Sequence, residues 1–236
     1  MRRCTLWLTA AALLPTPLFA ELSSTWTVTS DYVFRGISQT AEDPALQGSI
    51  DYEGESGGYV GLWGSNVDFD DCCNEDIELN WYAGYAPEFG EDFSLDMGII
   101  YYNYPGASEG LDYGEVYFGA SWRWLGATYY YTDSFFGLGE PAWYVDTNAA
   151  FDLPLELSLG LHVGYTDGDA LDEEFADDTG LEEYTDWSVT LGRSFGNFDV
   201  EVGYYDTDLD GDFKDTGGAN ANDDRIVLSV TTTLPW

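Results

Sequence analysis

The chain has a single histidine, which is where acid–base chemistry would centre. His162 and Ser158 stand four residues apart in a segment that alternates polar and apolar side chains. Along a β-strand that separation is roughly 13 Å, too far for the hydrogen bond by which a histidine activates a serine nucleophile. We therefore expect a structural histidine that faces a polar interior, and no enzymatic activity.

Two other groups of residues suggest metal binding, but only weakly. Alternating acids resemble the start of a calcium loop: Asp206, Asp208, Asp210 and Asp212. Gly217 stands where such a loop places a bidentate glutamate, so an acidic solvated loop is the preferred interpretation and a loosely held Ca²⁺ the alternative. Cys72 and Cys73 are adjacent and have no further Cys or His nearby, which indicates a vicinal disulfide or two thiols rather than a soft-metal site. We expect no cofactor.

The charge balance excludes one class of partner. With 7 basic and 44 acidic residues the net charge is −37, and recognition of a phosphate backbone needs clustered Lys and Arg. We therefore expect no nucleic-acid partner. The charge does not indicate disorder, because 44% of the residues are hydrophobic and 17% are aromatic.

The first twenty residues have the parts of a secretory signal. Arg2 and Arg3 precede the apolar run of residues 6–14, and Ala20 offers a small residue for cleavage. The run is too short, and too interrupted by proline, to span a bilayer as a helix. We predict a signal peptide over residues 1–20 and a mature domain over residues 21–236.

Beyond residue 20, hydrophobicity alternates with a period of two almost everywhere, and no stretch keeps a helical period over three turns. About twelve segments of roughly ten residues result, the length with which a tilted strand crosses a membrane. We predict an all-β fold, a transmembrane up-and-down antiparallel β-barrel of about twelve strands, with ten or fourteen as alternatives. The side chains assigned to the outer face of the first three strands are Trp26, Val28, Tyr32 and Phe34, then Leu46, Ile50 and Tyr52, then Tyr59, Trp63, Val67 and Phe69.

The connections between these segments alternate in length. Short turns are predicted at residues 54–57, 86–92, 123–124, 152–154 and 194–197, and most of the intervening connections are longer: 70–74, 103–111, 132–141, 167–183 and 206–222. Such alternation is what an up-and-down barrel with both termini on the periplasmic side requires. A soluble sandwich has no reason to sort its loops in this way.

The last segment alternates strictly up to the terminal carboxylate, ending in Leu234 and Trp236. A terminal aromatic strand resembles the sorting signal of bacterial outer-membrane barrels. The partners this predicts are the barrel-assembly machinery, outer-membrane lipid and lipopolysaccharide. An ordinary amphipathic edge strand that happens to end in tryptophan is the alternative.

The inward face of the predicted strands is rich in carboxylates, which are costly to bury unpaired and therefore indicate a water-filled lumen. Arg35 and Arg225 fall near the outer ends of the first and last strands, which are neighbours in a closed barrel. They could form the positive side of a constriction that faces an acidic wall. Alternatively, Asp31 and Asp224 neutralise them and lock the seam. The candidate pore-lining residues are Arg35, Arg225, Asp31, Asp68, Glu78, Asp96 and Glu115.

Five stretches in the first half of the chain carry a family resemblance: SDYVFRGISQT (30–40), PALQGSIDYE (44–53), GYVGLWGSNVDF (58–69), EDIELNWYAGY (75–85) and GIIYYNYPG (98–106). Together they resemble the TorF family of porin-like proteins of proteobacteria. The resemblance implies an outer-membrane barrel. We expect a channel for passive diffusion of small polar solutes that favours cations. The alternative is a non-conducting surface protein that uses its acidic loops for adhesion or cation capture.

Overall fold

The computed structural model describes residues 21–69, 75–107, 110–171, 182–209 and 221–236. The predicted signal peptide, the pair Cys72 and Cys73, and the calcium candidates Asp210 and Asp212 lie outside these ranges. No helix in the described part of the chain is long and apolar enough to cross a membrane.

The described residues form twelve long antiparallel strands, each 8 to 12 residues in length. We number them β1 (Glu21–Thr29), β2 (Ala45–Glu53), β3 (Gly58–Asn66), β4 (Ile77–Tyr85), β5 (Phe93–Asn103), β6 (Tyr113–Trp122), β7 (Leu125–Thr132), β8 (Ala142–Leu153), β9 (Leu157–Asp167), β10 (Tyr184–Phe195), β11 (Phe198–Thr207) and β12 (Arg225–Pro235). The described ranges also contain three two-residue strands (Val33–Phe34, Ile37–Ser38 and Glu88–Phe89) and three 3₁₀ turns (Phe135–Gly137, Pro154–Glu156 and Asp169–Leu171).

The twelve strands close into a barrel. Each long strand pairs with its neighbours in the sequence, and β12 pairs with β1 from Ser23↔Pro235 to Thr29↔Ser229. Hydroxyl contacts reinforce this closing seam on its inner face, between Thr25 and Thr233 at 3.0 Å and between Thr27 and Thr231 at 2.9 Å. The predicted all-β barrel of about twelve strands is confirmed. Closure removes the exposed edges that an open sheet would present.

The two ends of the barrel differ in their connections. At one end, which we call the turn end, the strands join through residues 54–57, 86–92, 123–124, 154–156 and 196–197. At the other, the loop end, they join through residues 30–44, 67–76, 104–112, 133–141, 168–183 and 208–224. The predicted alternation of short and long connections is therefore confirmed.

The outward face is apolar along the strands and aromatic at both ends. Val60, Ile99, Val116 and Val163 are among the exposed aliphatic side chains of the middle band. Exposed rings flank this band at the loop end (Tyr101, Tyr131, Tyr204) and at the turn end (Phe93, Trp122, Phe195, Phe198, Trp236). An aliphatic band between two aromatic girdles is the surface that a membrane-spanning barrel presents to lipid.

The predicted orientation of β3 is wrong by one residue. Val60 is exposed on the outer face, whereas Tyr59 points inward and donates a hydrogen bond to Asp96. Trp63 also lies inside, with its ring 5.3 Å from that of Tyr32. The strand carries large apolar side chains at both parities, so alternation alone does not choose a face. The choice is made by pairing with β2, which sets Val60 opposite the outward Tyr52.

The first and third strands also end earlier than predicted. β1 ends at Thr29, so Tyr32 and Phe34 belong to the first connection and pack inward rather than against lipid. Val67 and Phe69 follow β3 and are buried at the loop end. All four side chains contribute to a cluster inside the barrel.

Candidate functional site: the filled loop end of the lumen

The first connection, residues 30–44, folds back into the barrel. Its short strands Val33–Phe34 and Ile37–Ser38 pair as a hairpin with Arg35 and Gly36 at the tip, both with positive φ (+49° and +81°). A Cβ added to Gly36 would lie 2.7 Å from Asp186 Cβ on β10, closer than carbon atoms approach one another. Glycine is required here both by φ and by space. The tip thus reaches the wall formed by β10 and β11.

The Arg35 side chain occupies a pocket on the wall formed by β5 to β8. Its Nη2 donates hydrogen bonds to both Glu115 carboxylate oxygens, at 2.9 and 2.8 Å, and Tyr102 Oη donates to the same carboxylate at 3.1 Å. The guanidinium carbon lies 4.4 and 5.3 Å from the ring centroids of Tyr144 and Tyr130. The Arg35 and Glu115 side chains are 5% and 1% exposed. This is a buried, charge-assisted ion pair framed by aromatic faces.

A second buried ion pair anchors the base of the hairpin. Arg225 Nη1 donates to Asp31 Oδ2 at 2.8 Å, and the other Asp31 oxygen accepts from Ser38 Oγ at 2.7 Å and Thr40 Oγ1 at 3.0 Å. Arg225 also donates to the Ala221 carbonyl at 2.7 Å. The Asp31–Arg225 pair crosses the β1–β12 seam. The two arginines therefore do not form one positive wall: Arg225 contacts Asp31 at the seam, and Arg35 crosses the lumen to Glu115.

Residues from all six long connections, including Ile37 of the hairpin, pack with strand residues of the loop end into one cluster, which we call the cap. The buried members of this cap are Ile37, Val67, Phe69, Tyr102, Tyr104, Tyr113, Phe135, Ala142, Ala170, Leu171, Tyr184, Leu209 and Ala221. Tyr102 and Tyr113 stack at 4.5 Å between ring centroids. Burial raises the pKa of the Glu75 carboxyl, which accepts the Phe69 N–H at 3.1 Å at the edge of the cap. Apolar side chains therefore fill part of the loop end of the lumen.

Two of the other predicted lining residues, Glu78 and Asp96, are hydrogen-bonded to uncharged side chains. Glu78 is buried and accepts from Asn80 Nδ2 at 2.7 Å and from Tyr32 Oη at 3.5 Å. Asp96 accepts from Tyr59. Asp68 is exposed at the loop end, and its backbone N–H donates to the Gln39 carbonyl at 2.9 Å. An acidic wall facing two arginines is therefore not the arrangement that the structure shows.

The single histidine lies between two carboxylates on the lumen wall. His162 Nε2 is 2.7 Å from Asp186 Oδ1, and Nδ1 is 3.2 Å from Asp146 Oδ1. Tyr144 Oη lies 3.1 Å from Nε2 and 3.3 Å from Asp186, which connects the histidine to the ring that faces Arg35. With both nitrogens engaged, the imidazole has no free position from which to activate a nucleophile. Strand register, which the sequence does not reveal, brings these residues together.

Toward the turn end the lumen wall is polar. Tyr59 Oη contacts Tyr117, Tyr82 contacts Asp51, and Ser94 pairs with Ser121 at 2.6 Å. One short sequence there, Gly54-Glu-Ser-Gly-Gly58, has the spacing of a serine-hydrolase nucleophile elbow. It forms the exposed turn between β2 and β3 instead of the strand-to-helix turn that such an elbow needs.

The calcium candidates within the described residues, Asp206 and Asp208, already accept hydrogen bonds. Asp206 accepts from the Thr207 N–H at 2.9 Å and from Tyr204 Oη at 3.0 Å, and Asp208 accepts from the Thr185 N–H at 2.5 Å. Within the described ranges no group of three or more His, Cys, Asp and Glu side chains is arranged to hold a metal ion.

The C-terminal residues complete the seam at the turn end. The Trp236 N–H donates to the Leu22 carbonyl at 2.8 Å, and its indole Nε1 donates to Ser24 Oγ at 3.2 Å. The indole ring and Leu234 are nonetheless exposed on the outer face. This leaves the terminal aromatic side chain accessible at the girdle.

Solved structures of two porins share this barrel fold. The KdgM porin superposes with a TM-score of 0.57 at 10% identity, covering 89% of this chain and 98% of the porin. The NanC porin superposes with a TM-score of 0.55 at 9% identity, covering 90% and 98%. At this identity the likeness concerns the fold alone. No curated protein matches the sequence. The chain belongs to the Gcw_chp family, described as bacterial protein of unknown function, whose model matches residues 17–234.

Proposed function

We propose that this protein is an outer-membrane channel of the porin type that passes small polar solutes by passive diffusion and favours cations. One observation carries the proposal: a closed barrel of twelve strands with an apolar, aromatic-girdled outer face and a polar inner face. Strands of 8 to 12 residues match the roughly 9–11 residues that cross a bilayer at a tilt. A soluble protein would not expose such a band.

The sequence features support the same location. A secretory signal over residues 1–20 would export the chain, and β12 with Leu234 and Trp236 would be recognised by the barrel-assembly machinery. The motifs that resemble the TorF family point to the same class of barrel. In that orientation the turn end faces the periplasm, and the acidic loop end faces lipopolysaccharide and the divalent cations that bridge it.

Cation preference follows from the charges inside the barrel. Asp51, Asp96, Asp146 and Glu201 belong to the inward face, whereas Arg35 and Arg225 are each neutralised by a buried carboxylate. Carboxylates that line a narrow pore concentrate cations and repel anions, an effect screened beyond about 10 Å at ~0.1 M salt. Conduction requires the hairpin and the cap to move, because both fill the loop end.

The cap is the specific observation that favours a second candidate, a non-conducting surface protein. Apolar packing drawn from six connections would block ions as long as it persists. In that case the barrel anchors acidic loops that adhere or capture cations at the cell surface. The two candidates share the fold and differ in whether the lumen ever opens.

Planar-bilayer recording separates the two candidates. We expect rare, small openings from the native protein and frequent stepwise openings from Arg35→Ala, because loss of the Glu115 contact frees the hairpin. Arg123→Ala is the matched control, since Arg123 lies at the turn end in an exposed pair with Asp92. Silence from both the native protein and Arg35→Ala, with heat-modifiable barrels on gels, would favour the surface protein.

Selectivity is measured as the reversal potential across a KCl gradient. We expect cation preference in the native protein and a stronger preference in the double variant Arg35→Ala with Arg225→Ala, because two positive charges are then lost from the lumen. An anion preference in the native protein would contradict the acidic-lumen interpretation. A solute-uptake screen in a porin-deficient strain would then identify the transported compound.

A further inference from the structure

We propose that the pocket occupied by Arg35 is a binding site for organic cations with a guanidinium head group, and that Arg35 is its tethered occupant. The inference rests on the proposed function in one respect, since solutes must reach the pocket through the lumen. The site itself is defined by geometry. A free cation of this class would compete with the hairpin and, by replacing Arg35, release it.

The pocket is formed by residues of the barrel strands, whereas its occupant, Arg35, belongs to the first connection. Tyr102, Glu115, Tyr130 and Tyr144 lie on the consecutive strands β5, β6, β7 and β8. Neighbouring polar groups hold the Tyr144 hydroxyl, at 3.1 Å from His162 and 3.3 Å from Asp186. None of these groups depends on residues 30–44 for its place in a strand. The pocket therefore persists as a preformed receptor when the hairpin withdraws.

The chemistry of the pocket selects a planar, weakly hydrated cation. Glu115 offers both carboxylate oxygens to one head group, and the Tyr130 and Tyr144 rings present their negative faces at 5.3 and 4.4 Å from its centre. Guanidinium is favoured by both features, because it donates several N–H groups and stacks on aromatic faces. A small, strongly hydrated ion such as Na⁺ gains less from the rings.

Burial of Glu115 makes an empty pocket unfavourable. Its side chain is 1% exposed, and a buried carboxylate without a counter-charge is strongly destabilising. When Arg35 is removed, the pocket must take up a cation, admit water or protonate the carboxylate. In the native protein the tether holds Arg35 at an effective concentration in the millimolar range, so free ligand has to exceed that concentration to compete.

Chemical rescue of Arg35→Ala tests the site. The probe is guanidinium chloride at low millimolar concentration, with equimolar urea as a neutral isostere and NaCl as a control for ionic strength. The readout is the midpoint temperature at which the purified barrel in detergent loses its heat-modifiable mobility. We expect a saturable rise of about 3–6 °C at roughly ten times the dissociation constant. Urea and NaCl should give no such rise, and Arg35→Ala with Glu115→Gln should not respond.

Two further variants complete the design. The native protein and Arg123→Ala retain Arg35, so both should respond only at much higher guanidinium concentration. If Arg35→Ala does not refold alone, recovery of the folded band with guanidinium but not with urea supports the site. Arg35→Gln then provides a second uncharged variant on which the same titration is run.

The proposal is overturned if folded Arg35→Ala or Arg35→Gln shows no saturable response, or if the Glu115→Gln background responds equally. These results are independent of conduction. A guanidinium response in a barrel that never conducts would leave the site standing and reject the channel. A conducting Arg35→Ala barrel that guanidinium neither stabilises nor blocks would reject the site and leave the channel standing.

Discussion

The ion pair between Arg35 and Glu115 allows a quantitative test of whether the loop end of the lumen is dry. Both side chains are almost fully buried, and each is the other's charge partner. Removing one member of such a pair leaves an uncompensated buried charge, at a cost of about 3–5 kcal/mol. Replacing both members by apolar side chains, as in Arg35→Met with Glu115→Leu, removes both charges and should restore most of that loss. We therefore expect each single substitution to destabilise the barrel more than the double.

The exposed pair between Arg123 and Asp92 supplies the control. Its side chains are 56% and 54% exposed at a distance of 3.2 Å, and pairs of this kind contribute about 0–1 kcal/mol. The free energy of unfolding is measured by reversible urea titration of refolded protein in lipid vesicles, for each single and double variant of both pairs. A loss below about 1 kcal/mol for Arg35→Ala, equal to that of Arg123→Ala, would mean that water reaches Glu115 and that the hairpin does not seal the lumen.

Three other outcomes are expected from the structure. Gly36→Ala should lower the free energy of unfolding by about 1–3 kcal/mol, because the new methyl group meets Asp186. Gly90→Ala is the control, since Gly90 has a similar φ of +75° but nothing within 4 Å, so it measures backbone strain without crowding. Trp236→Ala should lower the heat-modifiable fraction recovered from outer membranes without changing refolding in vitro. Glu75→Gln should flatten the pH dependence of stability: the raised pKa of Glu75 means that the folded state binds more protons, so its contribution falls as pH rises above the usual range for glutamate.

The barrel itself could be predicted because its two signals are local. In β9, the leucines at 157, 159 and 161 alternate with Ser158, Gly160 and His162, and this period places one set outside and the other inside. Short turns such as Gly196-Asn197, with Gly196 at a φ of +66°, fix where one strand ends and the next begins. Repeated along the chain, these two signals predict about twelve strands and an up-and-down topology.

The face of β3 could not be predicted in the same way. Tyr59 and Trp63 alternate with Val60 and Leu62, so both faces of the strand are apolar. Inside a wide barrel a tyrosine can face the lumen when its hydroxyl meets a carboxylate, as Tyr59 does with Asp96. That requirement depends on a residue in β5, far along the chain, and is invisible to any pattern within the strand.

Arg35 shows a deeper limit of the same reasoning. From Asp31 to Arg35 the aromatic residues at 32 and 34 alternate with a set that includes both charged residues and Val33, as in a strand whose charged side chains face the lumen. The structure uses the alternation differently: Tyr32 and Phe34 pack against Trp63 and Tyr102 inside the barrel. The distinction matters for function. An arginine fixed in the wall contributes a permanent field to the pore, whereas an arginine on a hairpin can be displaced. The residues that bind the Arg35 side chain lie on β5 to β8, whereas the Arg35 backbone lies on the hairpin. A cation that displaces this side chain from its pocket therefore also affects the closure of the lumen.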